Sequence, residues 1–185
     1  MKKISLILAL LLCLVPVLAS CGANSSAEKA VKTAIEVKYG DGDADVEDYW
    51  AVAYNYNLDI LDLLTDKEEA SDYKESIRDA RKSVKESLNM FGKDFQDELE
   101  DEGIDKWDFD YEILYCDVYE KGDTFDAAVE NFGYANTDIE DKIEAVAKVG
   151  VLMTMESKKG KEVAHESNTT TYVCYKIDGK WYVRG

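Results

Sequence analysis

Histidine is almost missing from this chain: His165 is the only one in 185 residues. A zinc site built on several histidines is thereby excluded, and a Ser-His-Asp triad would have to use this one residue. Its surroundings, Glu162 to Thr171, are polar and hold no G-x-S-x-G, so His165 reads as an exposed strand residue. Positive charge is scarce too. There are 22 Lys+Arg against 39 Asp+Glu, a formal charge of −17. Such a polyanion repels phosphate, so no nucleic acid is expected as a partner, and docking on anionic headgroups is disfavoured. After residue 18 no apolar run approaches the ~20 residues that a spanning helix needs. A phosphate loop, a metal-ligand set, an internal repeat and a low-complexity block are also lacking, and no cofactor is expected. Aromatic residues, in contrast, are plentiful: 3 Trp, 12 Tyr and 5 Phe, all beyond residue 20. That is too much apolar mass for a disordered acidic tail.

The one long apolar run lies at the start. Met1-Lys2-Lys3 is a basic n-region and Ile4 to Leu18 an apolar h-region, which together read as a secretory leader over residues 1–20. Leu18-Ala19-Ser20-Cys21 resembles the lipobox of bacterial lipoproteins. The resemblance implies a diacylglycerol on Cys21, cleavage that makes Cys21 the new N-terminus, and anchoring at the extracytoplasmic face of the cell membrane. Each buried CH₂ contributes about 0.8 kcal/mol, so two or three acyl chains hold stably where one does not. The alternative is an ordinary signal peptide with Cys21 a bystander. Residues 21–27 are then the lipidated Cys and a short tether, and 28–185 a single domain. Loss of Lys2 and Lys3 with the leader takes the formal charge from −17 to −19.

Apolar periodicity divides the rest. Ser25-Ser26-Ala27-Glu28 has capping-box spacing, with Ala30, Val31, Ala34 and Ile35 as the stripe of a first helix. Asp45 can cap a second, whose helical spacing runs from Val46 to Leu64. Thr65-Asp66-Lys67-Glu68 opens a third and longest, with apolar steps from Tyr73 to Leu99 and a bend at Gly92. The period then changes from 3.6 to 2. Trp107 to Glu120 has apolar residues on both faces and reads as a strand buried on much of both sides. A short helix over Thr124 to Phe132 ends at Gly133. Ile143 to Met155 alternates cleanly, Val163 to Ile177 pairs back, and Asp178-Gly179 is a type I′ turn signal before Lys180 to Val183.

This order predicts an α+β domain, three N-terminal helices packed on a curved antiparallel sheet of about four strands. The hairpin Tyr172 to Val183, with its Ile177-Asp178-Gly179-Lys180-Trp181-Tyr182-Val183 ending, resembles the C-terminal half of cystatin-like (nuclear transport factor 2-like, NTF2-like) domains in lipoproteins of Gram-positive bacteria, many of unknown function. The resemblance implies a concave pocket between sheet and helices. Members of that class include enzymes, binding modules and inert scaffolds, so fold does not settle function.

Several constellations are candidates. Asp41, Asp43 and Asp45 alternate like the first ligands of an EF-hand. Val46 stands where the turn glycine belongs and Val52 where the closing Glu belongs, so no specific metal site is expected. Trp50, Tyr54, Tyr56, Tyr111, Tyr115, Tyr172 and Trp181 suit a core or a ligand cleft equally, and Trp50, Tyr54, Tyr111, Tyr115 and Trp181 are retained as candidate ligand-binding residues. Asp108 and Asp110 beside Tyr111 could move a proton in a pocket, as in enzymes of the resembled fold. Cys116 and Cys174 lie in strands and are expected to be free thiols, since a domain of this size needs no staple; Cys13 leaves with the leader. The leading expectation is a membrane-anchored, surface-displayed lipoprotein with a non-enzymatic binding module for a protein, peptide, glycan or small apolar ligand. The alternative is a small pocket enzyme of NTF2-like type, a lyase, isomerase or hydrolase acting through carboxylates.

Overall fold

The structure, a computed structural model, describes residues 26–40, 45–63, 67–85, 88, 92–132 and 139–184. The leader, Cys21, Asp41, Asp43, Leu64, the Thr65 cap, Phe91 and Gly133 lie outside the described residues. Helix α1 (Ala27–Tyr39) is capped by Ser26, whose side chain accepts from the Lys29 amide at 3.1 Å. The cap therefore sits one residue later than the capping box places it, and Glu28 acts as a first-turn charge. Ala30, Val31, Ala34 and Ile35 are buried as expected. Helix α2 (Val46–Val52) is capped by Asp45, which accepts from the Glu47 amide at 2.9 Å, and it buries Tyr49, Trp50 and Val52.

The second helix is shorter than the periodicity predicts. Beyond Val52 the chain breaks into 3₁₀ turns at Tyr54–Tyr56 and Ile60–Leu63. Ala53 makes a parallel bridge to Val183, and at this point the chain passes from one face of the sheet to the other. The buried Asn57 holds the crossing: its amide donates to the Trp50 and Ala51 carbonyls, both at 3.0 Å, and its oxygen accepts from the Asp59 and Ile60 amides. The third helix is likewise two helices, α3 (Lys67–Val84) and α4 (Lys93–Asp101), with Gly92 at the start of α4. Arg81 of α3 lies 5.3 Å over the Trp50 ring and donates to the Tyr56 carbonyl at 2.7 Å.

Strands β1 (Lys106–Tyr119), β2 (Ile143–Lys159), β3 (Glu162–Ile177) and β4 (Lys180–Val183) form one antiparallel sheet in the order β1-β2-β3-β4. Helix α5 (Asp123–Glu130) intervenes between β1 and β2, so the helices are not all N-terminal. Asp178 and Gly179 both have positive φ, as a type I′ turn requires. Glu144 fastens that turn, accepting from the Gly179 amide and pairing with Lys176 at 2.8 Å; these contacts hold its carboxyl below the usual range.

Strand β1 is not buried on both sides. It is an end strand, and its register slips between Ile113 and Tyr115, leaving Leu114 as a bulge. Phe109, Tyr111 and Ile113 face the first core before the slip and Cys116 after it, while Tyr115 turns to the opposite face. Two cores result. The first joins α1 and α2 to Ala145, Ala147, Val149, Val151, Cys174, Trp181 and Val183. The second, on the other face, joins Tyr54, Ile60, Leu61, Ala70, Ile77, Phe132 and Ile139 to Val146, Tyr175, Ile177 and Tyr182.

Candidate functional site

Helix α1 has 13 residues and β2 has 17. At ~1.5 Å per helical residue and ~3.3 Å per strand residue, the helix covers about 20 Å of a strand more than 50 Å long. The core face of the sheet therefore continues past the last turn of α1. Its floor there is Phe109, Met153 and Met155, with Tyr39 as the wall and Glu166 and Asn168 at the rim, around a cleft of about 270 Å³. The Tyr39 ring stacks on Phe109 at 5.3 Å and 20°. A neighbouring hollow of about 550 Å³ shares Tyr39 and Phe109 and adds Glu36, Trp107, Asp108, Asp110 and Tyr111. The methionines make the floor adaptable, because an unbranched thioether repacks easily against different shapes.

One polar pair sits beside this floor. The Tyr111 hydroxyl donates to Glu36 Oε1 at 2.8 Å. Burial, and then the hydrogen bond to this carboxylate, push the phenol up to about 12. Tyr111 is thus a protonated donor at neutral pH, a fixture that orients rather than a base that abstracts.

The aromatic candidates are scattered by the fold, whereas Asp108, Asp110 and His165 line one hollow of about 530 Å³. Trp50 and Trp181 are buried in the first core and Tyr54 in the second, where it stacks on Phe132 at 5.0 Å. Of the five candidates none lines the cleft, and only Tyr111 lines the neighbouring hollow. Tyr115 lies on the opposite face, its ring over Gly150 and its hydroxyl 3.0 Å from Thr171 Oγ1. Tyr56 packs tilted against Trp50, and Tyr172 packs against the first core. Asp108 and Asp110 alternate with Tyr111 on β1, so their carboxylates are exposed on the far face, where Asp110 accepts from the Tyr111 amide at 2.8 Å. His165 is also there, exposed, with Nδ1 3.4 Å from Glu156 Oε2. Asp45 is engaged as a helix cap, and no group of three or more potential metal ligands occurs among the described residues.

Cys116 and Cys174 are free. They stand on β1 and β3 with β2 between them, opposite Val149 and Ala147 respectively. Two strand spacings of ~4.8 Å exceed the ~7 Å that a disulfide can bridge. Burial raises both thiols, Cys174 the more.

Phe109, Met153 and Met155 stand on apolar strand stripes that periodicity alone does not separate from the core. The separating signal was length, since a 13-residue helix cannot cover the stripe. Nothing in the sequence linked Glu36 to Tyr111, 75 residues apart.

The described architecture defines an α+β domain with an open four-stranded antiparallel sheet. No family model and no curated protein matches the chain. Among solved structures, the chain is similar over 86% of its length, and 90% of the other chain, to the crystal structure of the intermembrane space region of chloroplast protein ARC6. Identity is 11% and the TM-score 0.27, a likeness that carries no argument. No helix among the described residues is long and apolar enough to cross a membrane.

Proposed function

We propose that this protein is a membrane-anchored, surface-displayed bacterial lipoprotein whose domain is a non-enzymatic binding module of cystatin-like (NTF2-like) type. Binding takes place in the cleft past the end of α1. The observation that carries the binding role is the apolar floor of Phe109, Met153 and Met155, left open beside Tyr39 and rimmed by Glu166 and Asn168. A mostly apolar concavity with a few convergent polar groups is the usual form of a ligand site. The lipobox at Cys21 supports the anchor, and the strand order with its final I′ hairpin supports the fold type.

Two measurements test this reading. Mass spectrometry of the membrane fraction is expected to find Cys21 as a lipidated N-terminus; an unmodified Cys21 in a soluble product overturns the anchor. The neutral dye Nile red is expected to bind the chain with enhanced fluorescence, and Met155→Glu, at a half-buried position, to weaken it at least tenfold with an unchanged urea midpoint. Equal dye binding by the variant, or none by the parent, overturns the cleft.

A further inference from the structure

The two ends of the sheet differ. The edge of β4 is only four residues long, and Ala53 bridges it at Val183. Strand β1, at the other end, pairs only with β2 among the described residues, so the backbone groups along its outer side form a ready template for another strand. This edge also carries two of the four exposed large apolar side chains among the described residues, Leu114 (48%) and Val118 (51%), while the third on β1, Tyr115, turns inward over Gly150. On the face away from the first core, Asp108, Asp110 and Glu112 stand at alternate positions, exposed, and none forms a described ion pair. Beside Trp107, Phe109 and Tyr111 on the other face lies the 550 Å³ hollow, which reaches round the edge to Asp108 and Asp110. The outer side of β3 between Glu162 and Tyr172 is open as well, but it carries only Val163 as an exposed large apolar residue and has no carboxylate row of this kind.

We propose that the outer edge of β1, from Asp108 to Val118, binds an extended segment of a basic partner protein as a fifth strand, with its basic side chains on the Asp108-Asp110-Glu112 face and its apolar ones over the hollow beside Tyr111. This deepens the binding-module reading and rests on it. Strand pairing supplies the affinity through main-chain hydrogen bonds, and the alternation of side chains supplies the specificity. The Tyr111 amide, now held by Asp110, passes to a carbonyl of the incoming strand, which leaves the Asp110 carboxylate to a lysine or arginine. The same carboxylates argue against a second copy of this chain. Two β1 strands side by side would set acidic row against acidic row, and like charges on neighbouring strands repel. With a formal charge of −17 behind it, the edge draws basic segments and disfavours acidic ones.

The test uses a fluorescently labelled peptide in which lysine alternates with valine. Two controls accompany it: the same peptide N-methylated at every second amide, and one with glutamate for lysine. Anisotropy is read with the soluble chain carrying Cys21→Ser, and backbone amide shifts of residues 108–118 are followed by NMR. The lysine peptide is expected to bind at least tenfold more tightly than either control and to shift amides on β1. The Asp108→Lys, Glu112→Lys double variant, altered only at exposed positions, is expected to favour the glutamate peptide. Equal binding of the N-methylated peptide reduces the effect to bulk charge and overturns the proposal, as does absence of binding. A dimer seen by sedimentation and lost in the double variant overturns it in favour of a second copy. If Nile red binds and the peptide does not, this inference fails while the cleft reading stands; if neither binds, both fail.

Discussion

Gly150→Ala is expected to destabilise the native chain yet stabilise a chain that already carries Tyr115→Ala. Gly150 lies in β2 opposite Tyr115, and a Cβ built on it would sit 2.1 to 2.6 Å from three atoms of the Tyr115 ring. The ring would have to leave. With it go a cross-strand aromatic contact of roughly 0.2–1 kcal/mol and the bond to Thr171, about 1 kcal/mol. Against this loss stands the ordinary gain from replacing a strand glycine, roughly 0.5–1 kcal/mol. The net cost is then about 0.2–1.5 kcal/mol in the native background. In Tyr115→Ala the clash is gone and only the gain remains, so the sign reverses. The coupling of the two sites is about 1–2 kcal/mol, well above what independent positions show. Urea unfolding of the four chains measures it; with slopes of ~1–3 kcal/mol per M, the midpoints should separate by several tenths of a molar unit. An effect of Gly150→Ala with the same sign and size in both backgrounds would refute the idea that Tyr115 straps Gly150.

Asn57→Ala removes a side chain whose four hydrogen bonds serve the chain crossing, and should cost about 2–4 kcal/mol in urea unfolding; a loss under about 1 kcal/mol would mean that other partners replace it. Burial pushes the phenols of Tyr49, Tyr172 and Tyr182, and with the Glu36 bond that of Tyr111, up to about 12. Their contribution to stability is therefore complete below about pH 10, where the unfolded chain starts to ionise, and is lost as pH rises toward 12. Because burial raises the two thiols as well, urea midpoints should begin to fall at about pH 9 and fall more steeply above about 10, and a level midpoint up to about pH 11.5 would contradict this. Thiol labelling of a Cys21→Ser chain lacking its leader should count two groups after denaturation without reductant. In the native state the fully buried Cys174 should react at least tenfold more slowly than Cys116.

The strands were the most legible part of the fold. Ala145 to Val151 alternates because one face meets α1 and α2, whereas Ile143, read on the same stripe, lies in the second core beyond a register slip; the Asp178-Gly179 turn announces itself by residue type. The two apolar sets read on Trp107 to Glu120 were also a true signal with a different cause. The bulge at Leu114 shifts the phase, so what looks like burial of both faces is one buried face before and after a slip. Between Val46 and Leu64 periodicity misled. Apolar residues at helical spacing there serve two cores in succession, Trp50 and Val52 on one side of the sheet, Ile60 and Leu61 on the other. A single helix could not reach both. The cleft was the least legible feature, because Phe109, Met153 and Met155 look like core until the length of α1 is known.

The packing of α1 against β4 sets the order in which this domain can be completed. The first core joins Ala30 and Val31, near the beginning of the chain, to Trp181 and Val183, near its end, and Tyr182 points from the same four-residue strand into the second core. At synthesis rates of about 5–20 residues per second, the ~150 residues between them take on the order of ten seconds to emerge. During that interval neither core has its last wall. The chain must wait in an incompletely packed state with α1 formed only as far as local propensity carries it, and long-range closure of this kind makes folding slow. Loss of the last few residues would accordingly open both cores at once.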